Sequence, residues 1–324
     1  MPHTPTGRFA PSPTGELHLG NARTALLAWL WTRSMGGSFV LRVEDLDKPR
    51  VRPGMAQQQL DELRWLGLDW DFGPDRGGPH APYTQSERSA LYADAVTRLA
   101  REGLVYPCFC SRAEIKARSE ASAPHGPQDE GPRYTGTCAR LSSAQIAERS
   151  RTRAPALRLR VPSGPVEFTD AIAGPQTFDP QSEIGDFVLQ RADGIYSYQL
   201  AVTVDDAAMG ITQVLRGADL LPSTARQLVL YRFLEHAPPQ FAHAPLVFGP
   251  KGPDGQPQRL AKRDPAVTLA GLKKTSDTSD PRVIIGKLAS ISGLSSSPEP
   301  RLPRDFLATF DLARIPKGPV ELAP

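Results

Sequence analysis

Apolar positions along the first third of the chain follow two rhythms in turn. Residues 6–10 predict a short strand. Ala22, Leu26, Leu27, Leu30 and Trp31 then fall at helical spacing from Asn21, and Gly36-Gly37 closes that helix. Residues 38–44 switch to period two, with Phe39, Leu41 and Val43 set against Arg42 and Glu44. Residues 55–66 predict a second helix ended by Gly67, and Ser86 opens a third that runs to about Glu102. This strand–helix–strand–helix succession predicts an α/β fold with a parallel sheet.

Farther along the pattern is more broken. Residues 104–110 predict an extended segment, and Ser111 with Glu114 has the spacing of a capping box that starts a short helix. Residues 119–133 are polar and aperiodic, as a loop would be. Leu157, Leu159 and Val161 alternate with Arg158 and Arg160 and predict a strand. Asp193-Gly194, between residues 187–191 and 195–201, is a hairpin signal. Thr224 with Gln227 predicts another capped helix start, reaching about Leu234. Residues 245–248 and 258–260 flank a turn at Asp254-Gly255, and Ile284, Ile285 and Leu288 share a helical face beyond it. The Ser/Pro-rich residues 292–303 read as linker or loose packing.

Composition narrows this only a little. The chain has 324 residues, enough for a full core and more than one domain, and a formal net charge of +3, compatible with a nucleic acid without demanding one. Three cysteines cannot build a disulfide framework and point to a reducing compartment. The start MPHTPTGRF lacks the pattern of a signal peptide, and no run of about 18 apolar residues occurs. A cytoplasmic protein with no membrane partner is the expectation.

The candidate chemistry begins with RFAPSPTGELHLGN, residues 8–21, which places two prolines, two glycines and a histidine just before an apolar helix. A helix start exposes unpaired N–H groups and partial positive charge, so it suits an anion. Gly15 and Gly20 let a flat ligand approach the backbone, and the His18 ring sits where it can donate to a phosphate. By spacing alone the segment is equally a proline-stiffened turn.

The same residues resemble the HIGH motif of class I aminoacyl-tRNA synthetases, and RFAPSPTGELHLGNARTAL resembles the glutamyl/glutaminyl branch of that family. The likeness continues through RVEDLD (42–47), YSYQLAVTVDDAAMGITQVLRGADL (196–220) and RLAKR (259–263), covering roughly residues 5–275. It implies a Rossmann-like class I catalytic fold that binds ATP, with Mg²⁺ as its counter-ion, and activates L-glutamate as glutamyl-adenylate. It assigns phosphate chemistry to His18 and Lys262 and ATP contacts to Gly15, His18, Gly20, Asn21 and Lys262. Lys262 matches the second lysine of the family's KMSKS motif, whereas Arg259 and Ala261 replace its first lysine and its serine. Arg8 and Arg216 are the expected partners of the substrate carboxylates, because a planar guanidinium binds a carboxylate bidentately. Phe9, Ala10, Pro11 and Ser12 line the same stretch, Glu44 is the expected partner of the ammonium, and Tyr198 donates to a carboxylate.

All three cysteines fall in one region, as Cys108-Phe109-Cys110 and Cys138 on either side of the polar loop. Three thiolates and one more ligand make a tetrahedral zinc site, although three buried reduced thiols fit the spacing too. The arrangement Cys-x-Cys … Tyr134-x₃-Cys138 resembles the zinc site of shortened members of the family, where the tyrosine is the fourth ligand. His125 is the rival fourth ligand. One structural zinc per chain is the expectation.

The expected division is a catalytic unit of residues 1–104 and 186–240, an inserted zinc-bearing, acceptor-binding subdomain of residues 105–185, and a KMSKS-like loop with a short helical part in residues 241–324. About 50 residues follow Lys274, too few for an anticodon-binding domain. The shortened family members attach glutamate to queuosine, a modified base in the anticodon loop of tRNA(Asp), and the resemblance implies the same acceptor here. A truncated synthetase charging a tRNA 3′ end and a non-catalytic tRNA-binding paralogue are the alternatives. A monomer is expected.

Overall fold

The structure is a computed structural model describing residues 4–120, 133–251, 257–259 and 267–321. Its centre is a four-stranded, all-parallel sheet in the order β2-β1-β8-β9, formed by β1 (Thr6–Phe9), β2 (Ser38–Leu41), β8 (Gln213–Gly217) and β9 (Gln240–Ala244). Helix α1 (Leu19–Ser34) makes the crossover from β1 to β2. Gly7 permits its close approach, since a Cβ there would lie 1.8 Å from Thr32 Oγ1.

Between β2 and β8 run α2 (Met55–Trp65), α3 (Ser89–Arg101), β3 (Val105–Cys108), α4 (Arg112–Glu120), α5 (Ser143–Ser150), β4 (Ala156–Leu159), β5 (Val166–Asp170), β6 (Gly174–Phe178), β7 (Val188–Gln190) and α6 (Tyr198–Ala208). Strands β3, β4 and β7 form an antiparallel sheet, and β5–β6 is a hairpin laid against β9, where Ala171 N–H donates to Phe241 O at 2.9 Å. After β8 come α7 (Leu221–Phe233), β9, the antiparallel pair β10 (Val247–Lys251) and β11 (Pro257–Arg259), α8 (Leu269–Leu272), α9 (Pro281–Ile291) and β12 (Val320–Glu321), which pairs with β10. The turn expected at Asp254-Gly255 lies outside the described residues.

The alternation in the central strands assigns their two faces. Phe9, Phe39, Leu41, Leu215 and Ala242 face α1 and share one core with α9 and Phe306. Val40, Val214 and Phe241 face the other way, toward Tyr231 and Met209. Arg8, Arg42, Arg216 and His243 belong to this second face by the same parity. Arg8 is in register with Val40, and Arg216 with His243. Arg42, read from the sequence as the polar side of a strand, has no exposed surface, because α6 supplies the carboxylates that meet it.

Several expected boundaries change. Residues 195–201 are not a second hairpin strand. The turn forms, with Arg191 N–H donating to Ile195 O, but the Ser197 side chain then accepts from Leu200 N–H and starts α6 at Tyr198. Ser86 does not start α3; its N–H and hydroxyl go to the Asp45 carboxylate at 2.8 and 2.6 Å, and the helix begins at Ser89. Thr224 lies inside α7, which begins at Leu221 with Pro222 in its first turn, and its hydroxyl serves Arg216 instead of a cap. The Ser/Pro-rich residues 292–303 are packed at their two ends, with residues 298–301 exposed between them. Ser292 and Leu294 are buried, and Arg23 of α1 donates through Nε to Ser292 Oγ at 2.8 Å and through Nη1 to Pro245 O at 2.6 Å. Burial pushes the Arg23 guanidinium down to about 10.

Candidate functional site

In an open parallel sheet, ligands bind outside the carboxyl ends of the strands, where the strand order reverses. Here the chain moves from β1 to β2 on one side and adds β8 on the other, so that crevice lies at the ends of β1 and β8. Arg8 sits near the end of β1, Arg42 follows β2, and Arg216 sits near the end of β8.

Helix α6 brings Asp205 and Asp206 beneath them. Asp206 accepts from Arg8 Nε and Nη2 at 3.3 and 3.2 Å and from Arg42 Nη1 at 2.7 Å. Burial acts to raise the Asp206 carboxyl, but Arg8 and Arg42 outweigh it and hold it below the usual carboxylate range. Asp205 accepts from Arg88 Nε at 2.6 Å, Gln85 Nε2 at 2.8 Å and Tyr92 Oη at 2.9 Å. Arg42 Nη2 reaches Glu44 Oε1 at 3.1 Å, and burial pushes the Glu44 carboxyl above its usual value.

Arg216 is held from three sides. Its Nε donates to His243 Nε2 at 2.9 Å, its Nη2 to Thr224 Oγ1 at 2.8 Å, and its Nη1 lies 3.5 Å from Tyr198 Oη. His243 in turn meets Asp170 Oδ2 through Nδ1 at 2.6 Å. Burial pushes the His243 imidazole down to about 4 against the pull of Asp170, so it is neutral at pH 7. The Tyr198 phenol is raised by burial and stays protonated.

The expected residues Arg8, Glu44, Tyr198 and Arg216 thus converge. Ser12 and Glu44 line a cleft of about 140 Å³ together with Thr14, Asp47 and Arg50. Phe9 packs into the α1 core, while its carbonyl accepts from Arg42 N–H and the Pro11 carbonyl from Glu44 N–H. A larger cleft of about 350 Å³, lined by Val43, Arg52, Leu60 and Thr84, holds none of Arg8, Arg42 and Arg216, so charge rather than volume locates the site. Arg42, Asp206, His243 and Asp170 were not singled out from sequence. Arg42 and Asp206 carry a signal, since they fall within the family stretches RVEDLD and YSYQLAVTVDDAAMGITQVLRGADL, whereas Asp170 and His243 carry none.

His18 caps α1. Its Nδ1 accepts from Asn21 N–H and its own N–H donates to Asn21 Oδ1, both at 3.3 Å, so the ring proton resides on Nε2. Gly20 makes room for the ring, since a Cβ there would come within 3.0 Å of it. Among the described residues nothing lies within 4 Å of a Cβ built at Gly15, which leaves that backbone approachable from them. Thr268 bridges to His18, and Leu269 N–H donates to Leu17 O at 2.8 Å, so the chain rejoins the helix start six positions after Lys262. Lys262 and His125 lie outside the described residues.

The cysteines form a separate centre. The sulfurs of Cys108, Cys110 and Cys138 all lie within 4.8 Å of one another, with Cys110 and Cys138 at 3.6 Å. All three thiols are free. A metal–sulfur bond of about 2.3 Å sets tetrahedral sulfurs about 3.8 Å apart, so this donor set fits a metal ion. Tyr134 Oη lies 3.4 Å from Cys108 Sγ and 3.9 Å from Cys110 Sγ and accepts from Cys138 N–H at 2.7 Å. The Arg158 guanidinium sits 3.9 Å from the centroid of the Tyr134 ring.

Known proteins resemble the chain as a whole. The family described as tRNA synthetases class I (E and Q), catalytic domain, matches residues 6–301. The chain is 56% identical over 317 residues to a Glutamyl-Q tRNA(Asp) synthetase of Symbiobacterium thermophilum, covering 98% of this chain and 95% of that protein. It is 45% identical over 320 residues to Glutamate–tRNA ligase 1 of Halorhodospira halophila, covering 98% of this chain but 65% of that protein. The crystal structure of a glutamate-tRNA synthetase from Elizabethkingia anophelis superposes with a TM-score of 0.85 at 29% identity, covering 99% of this chain and 68% of that one. No helix among the described residues is long and apolar enough to cross a membrane.

Proposed function

The chain belongs to the class I tRNA synthetase (E and Q) catalytic-domain family, a family of ligases, and from that premise we propose that it activates L-glutamate with ATP and transfers it to queuosine in tRNA(Asp). The observation that carries the reading is the charge balance of the crevice. Four buried guanidinium groups, those of Arg8, Arg42, Arg88 and Arg216, meet three carboxylates, those of Asp205, Asp206 and Glu44. The surplus positive charge in a buried site favours an acidic side chain over its amide. Glu44, facing the Ser12 cleft, suits the substrate ammonium.

In the activation step an oxygen of the glutamate α-carboxylate attacks the α-phosphorus of ATP. The bond to the bridging oxygen breaks and pyrophosphate leaves, carrying charge that Mg²⁺ would help to balance. No side chain has to remove a proton, so catalysis rests on alignment and on neutralising developing charge. His18 Nε2–H, the first N–H groups of α1, which His18 caps, and Lys262 are assigned to the phosphate charge. In the second step a hydroxyl of the queuosine ring attacks the adenylate carbonyl, AMP leaves, and the hydroxyl proton is released to solvent.

The 56% identity to the glutamyl-Q relative, against 45% to the glutamate–tRNA ligase, supports queuosine rather than a 3′ adenosine as acceptor. Cys108, Cys110, Cys138 and Tyr134 would hold a zinc ion that cross-links the small apolar cluster around Tyr106 and Phe109. A monomer acting in the cytoplasm, where its tRNA resides, completes the reading. The deciding experiment incubates the protein with ATP, labelled glutamate and tRNA(Asp) with or without queuosine. Label on the queuosine-bearing tRNA alone is expected. Label that ignores queuosine and is released by removing the 3′ adenosine points to an ordinary glutamate–tRNA ligase, and no glutamate-dependent ATP–pyrophosphate exchange rejects the reading.

A further inference from the structure

We propose that Asp170 and His243 form a positioning relay that fixes the tautomer of the imidazole and thereby the orientation of Arg216 toward the substrate carboxylate. The inference rests on Arg216 serving as a glutamate-binding residue, as proposed above.

The argument starts from the register. Arg216 and His243 are directly opposed on parallel neighbours β8 and β9, so their side chains leave the same face. His243 has no exposed surface on its side chain, and neither does Asp170. Asp170 Oδ1 accepts three backbone N–H groups, from Ile172 at 3.0 Å, Ala173 at 2.8 Å and His243 at 3.1 Å. Its other oxygen, Oδ2, therefore faces His243 Nδ1 at 2.6 Å and holds the ring proton there.

A neutral ring with Nδ1 protonated presents a bare lone pair at Nε2. Two donors use that lone pair, Arg216 Nε–H at 2.9 Å and the Thr224 hydroxyl at 3.2 Å. With Nε committed to His243 and Nη2 to Thr224 and the Leu220 carbonyl, only the Nη1 edge of the guanidinium is left toward Tyr198. A histidine with its proton on Nε2 would instead oppose donor to donor at Arg216. The β5–β6 hairpin, far from β8 in sequence, thus sets which edge of Arg216 the crevice presents, by way of one proton.

Asp170→Asn tests this with little change of shape. The three backbone donors require the amide oxygen at the Oδ1 position, so the amide nitrogen must face His243 Nδ1 and drive the ring proton to Nε2. Three measurements are made on the full chain: histidine ring nitrogen NMR, and calorimetric titration with L-glutamate and, separately, with ATP. In the unaltered protein His243 is expected to be protonated at Nδ1. In Asp170→Asn the proton is expected at Nε2, glutamate affinity falls roughly 10- to 100-fold and ATP affinity is unchanged. His243→Gln, whose amide oxygen can take the place of Nε2 as acceptor, is expected to keep more glutamate affinity than His243→Leu. Unchanged glutamate affinity in a folded Asp170→Asn, or a ring already protonated at Nε2 in the unaltered protein, overturns the relay. The second result stands even if every variant fails to fold. An unaltered protein that binds no glutamate overturns the function itself, a different outcome from loss confined to the variants.

Discussion

Asp206 grips Arg8 with both carboxylate oxygens, at 3.3 Å to Nε and 3.2 Å to Nη2, across 198 positions of sequence. This fork engages one edge of the guanidinium and leaves Nη1 without a partner among the described residues. The same carboxylate takes Arg42 at 2.7 Å, so one anion on α6 orders two cations at the ends of β1 and β2.

Removing that anion leaves two buried cations short of a counter-charge. Asp206→Ala is expected to lower the unfolding free energy by about 3–5 kcal/mol, the usual cost of breaking a buried pair from one side. Urea denaturation checks it. Arg42→Met in the same background should recover part of the loss, because it removes one of the stranded charges.

The depressed imidazole of His243 makes stability depend on pH in a defined window. Its folded value, about 4, lies below its ordinary value of 6.5, so the unfolded chain binds the proton first as pH falls. The stabilisation is fully present above pH 6.5 and declines toward pH 4, by about 3 kcal/mol for this group. Asp170, held below its ordinary range by His243 against the opposing effect of burial, acts in the same direction at still lower pH. Chemical denaturation at pH 7, 5.5 and 4.5 measures the slope, and His243→Gln should flatten it between pH 6.5 and 4.

Protein purified without chelator is expected to carry one zinc ion per chain by elemental measurement, and Cys138→Ser to carry none. Tyr134→Phe should still bind zinc through three thiolates, but should release it to a chromogenic chelator at lower concentration. Release unchanged from the parent would assign the fourth ligand elsewhere, with His125 the first residue to examine.

His18 has two separable roles. His18→Asn keeps a side-chain acceptor for the α1 cap, so the unfolding free energy should change by less than about 1 kcal/mol. It loses the Nε2–H donor, and glutamate-dependent ATP–pyrophosphate exchange should fall roughly 100-fold. His18→Ala should lose both, about 1 kcal/mol of stability and the same activity.

The sequence was most legible where the signal is local. The capping box at Ser111 and Glu114 forms as its spacing requires, with the Ser111 amide 2.6 Å from the Glu114 carboxylate. The Thr224–Gln227 box carries the same local signature and fails, because Arg216 claims the Thr224 hydroxyl from another strand. Ser197 ends a hairpin that alternation alone would continue, since its side chain caps the free Leu200 amide in the first turn of α6. The serines and prolines of residues 292–303 resemble a linker in composition, yet Ser292 is buried because Arg23 needs an acceptor there.

By itself the sequence determined the central strands β1 and β2, though not β8 and β9, the helix that RFAPSPTGELHLGN leads into, the cysteine spacing and the presence of Arg8, Glu44, Tyr198 and Arg216 in one family pattern. Those features depend on residues a few positions apart, where backbone geometry links spacing directly to direction. Only the tertiary structure decided that Arg42 is buried rather than solvated, that Asp206 and not solvent is its partner, and that Asp170 and His243 stand behind Arg216. Period two states which face a side chain leaves from, but what covers that face comes from chain 73 to 198 positions away. Burial then converts an ordinary polar face into a charged site, since every cation removed from water must find its anion.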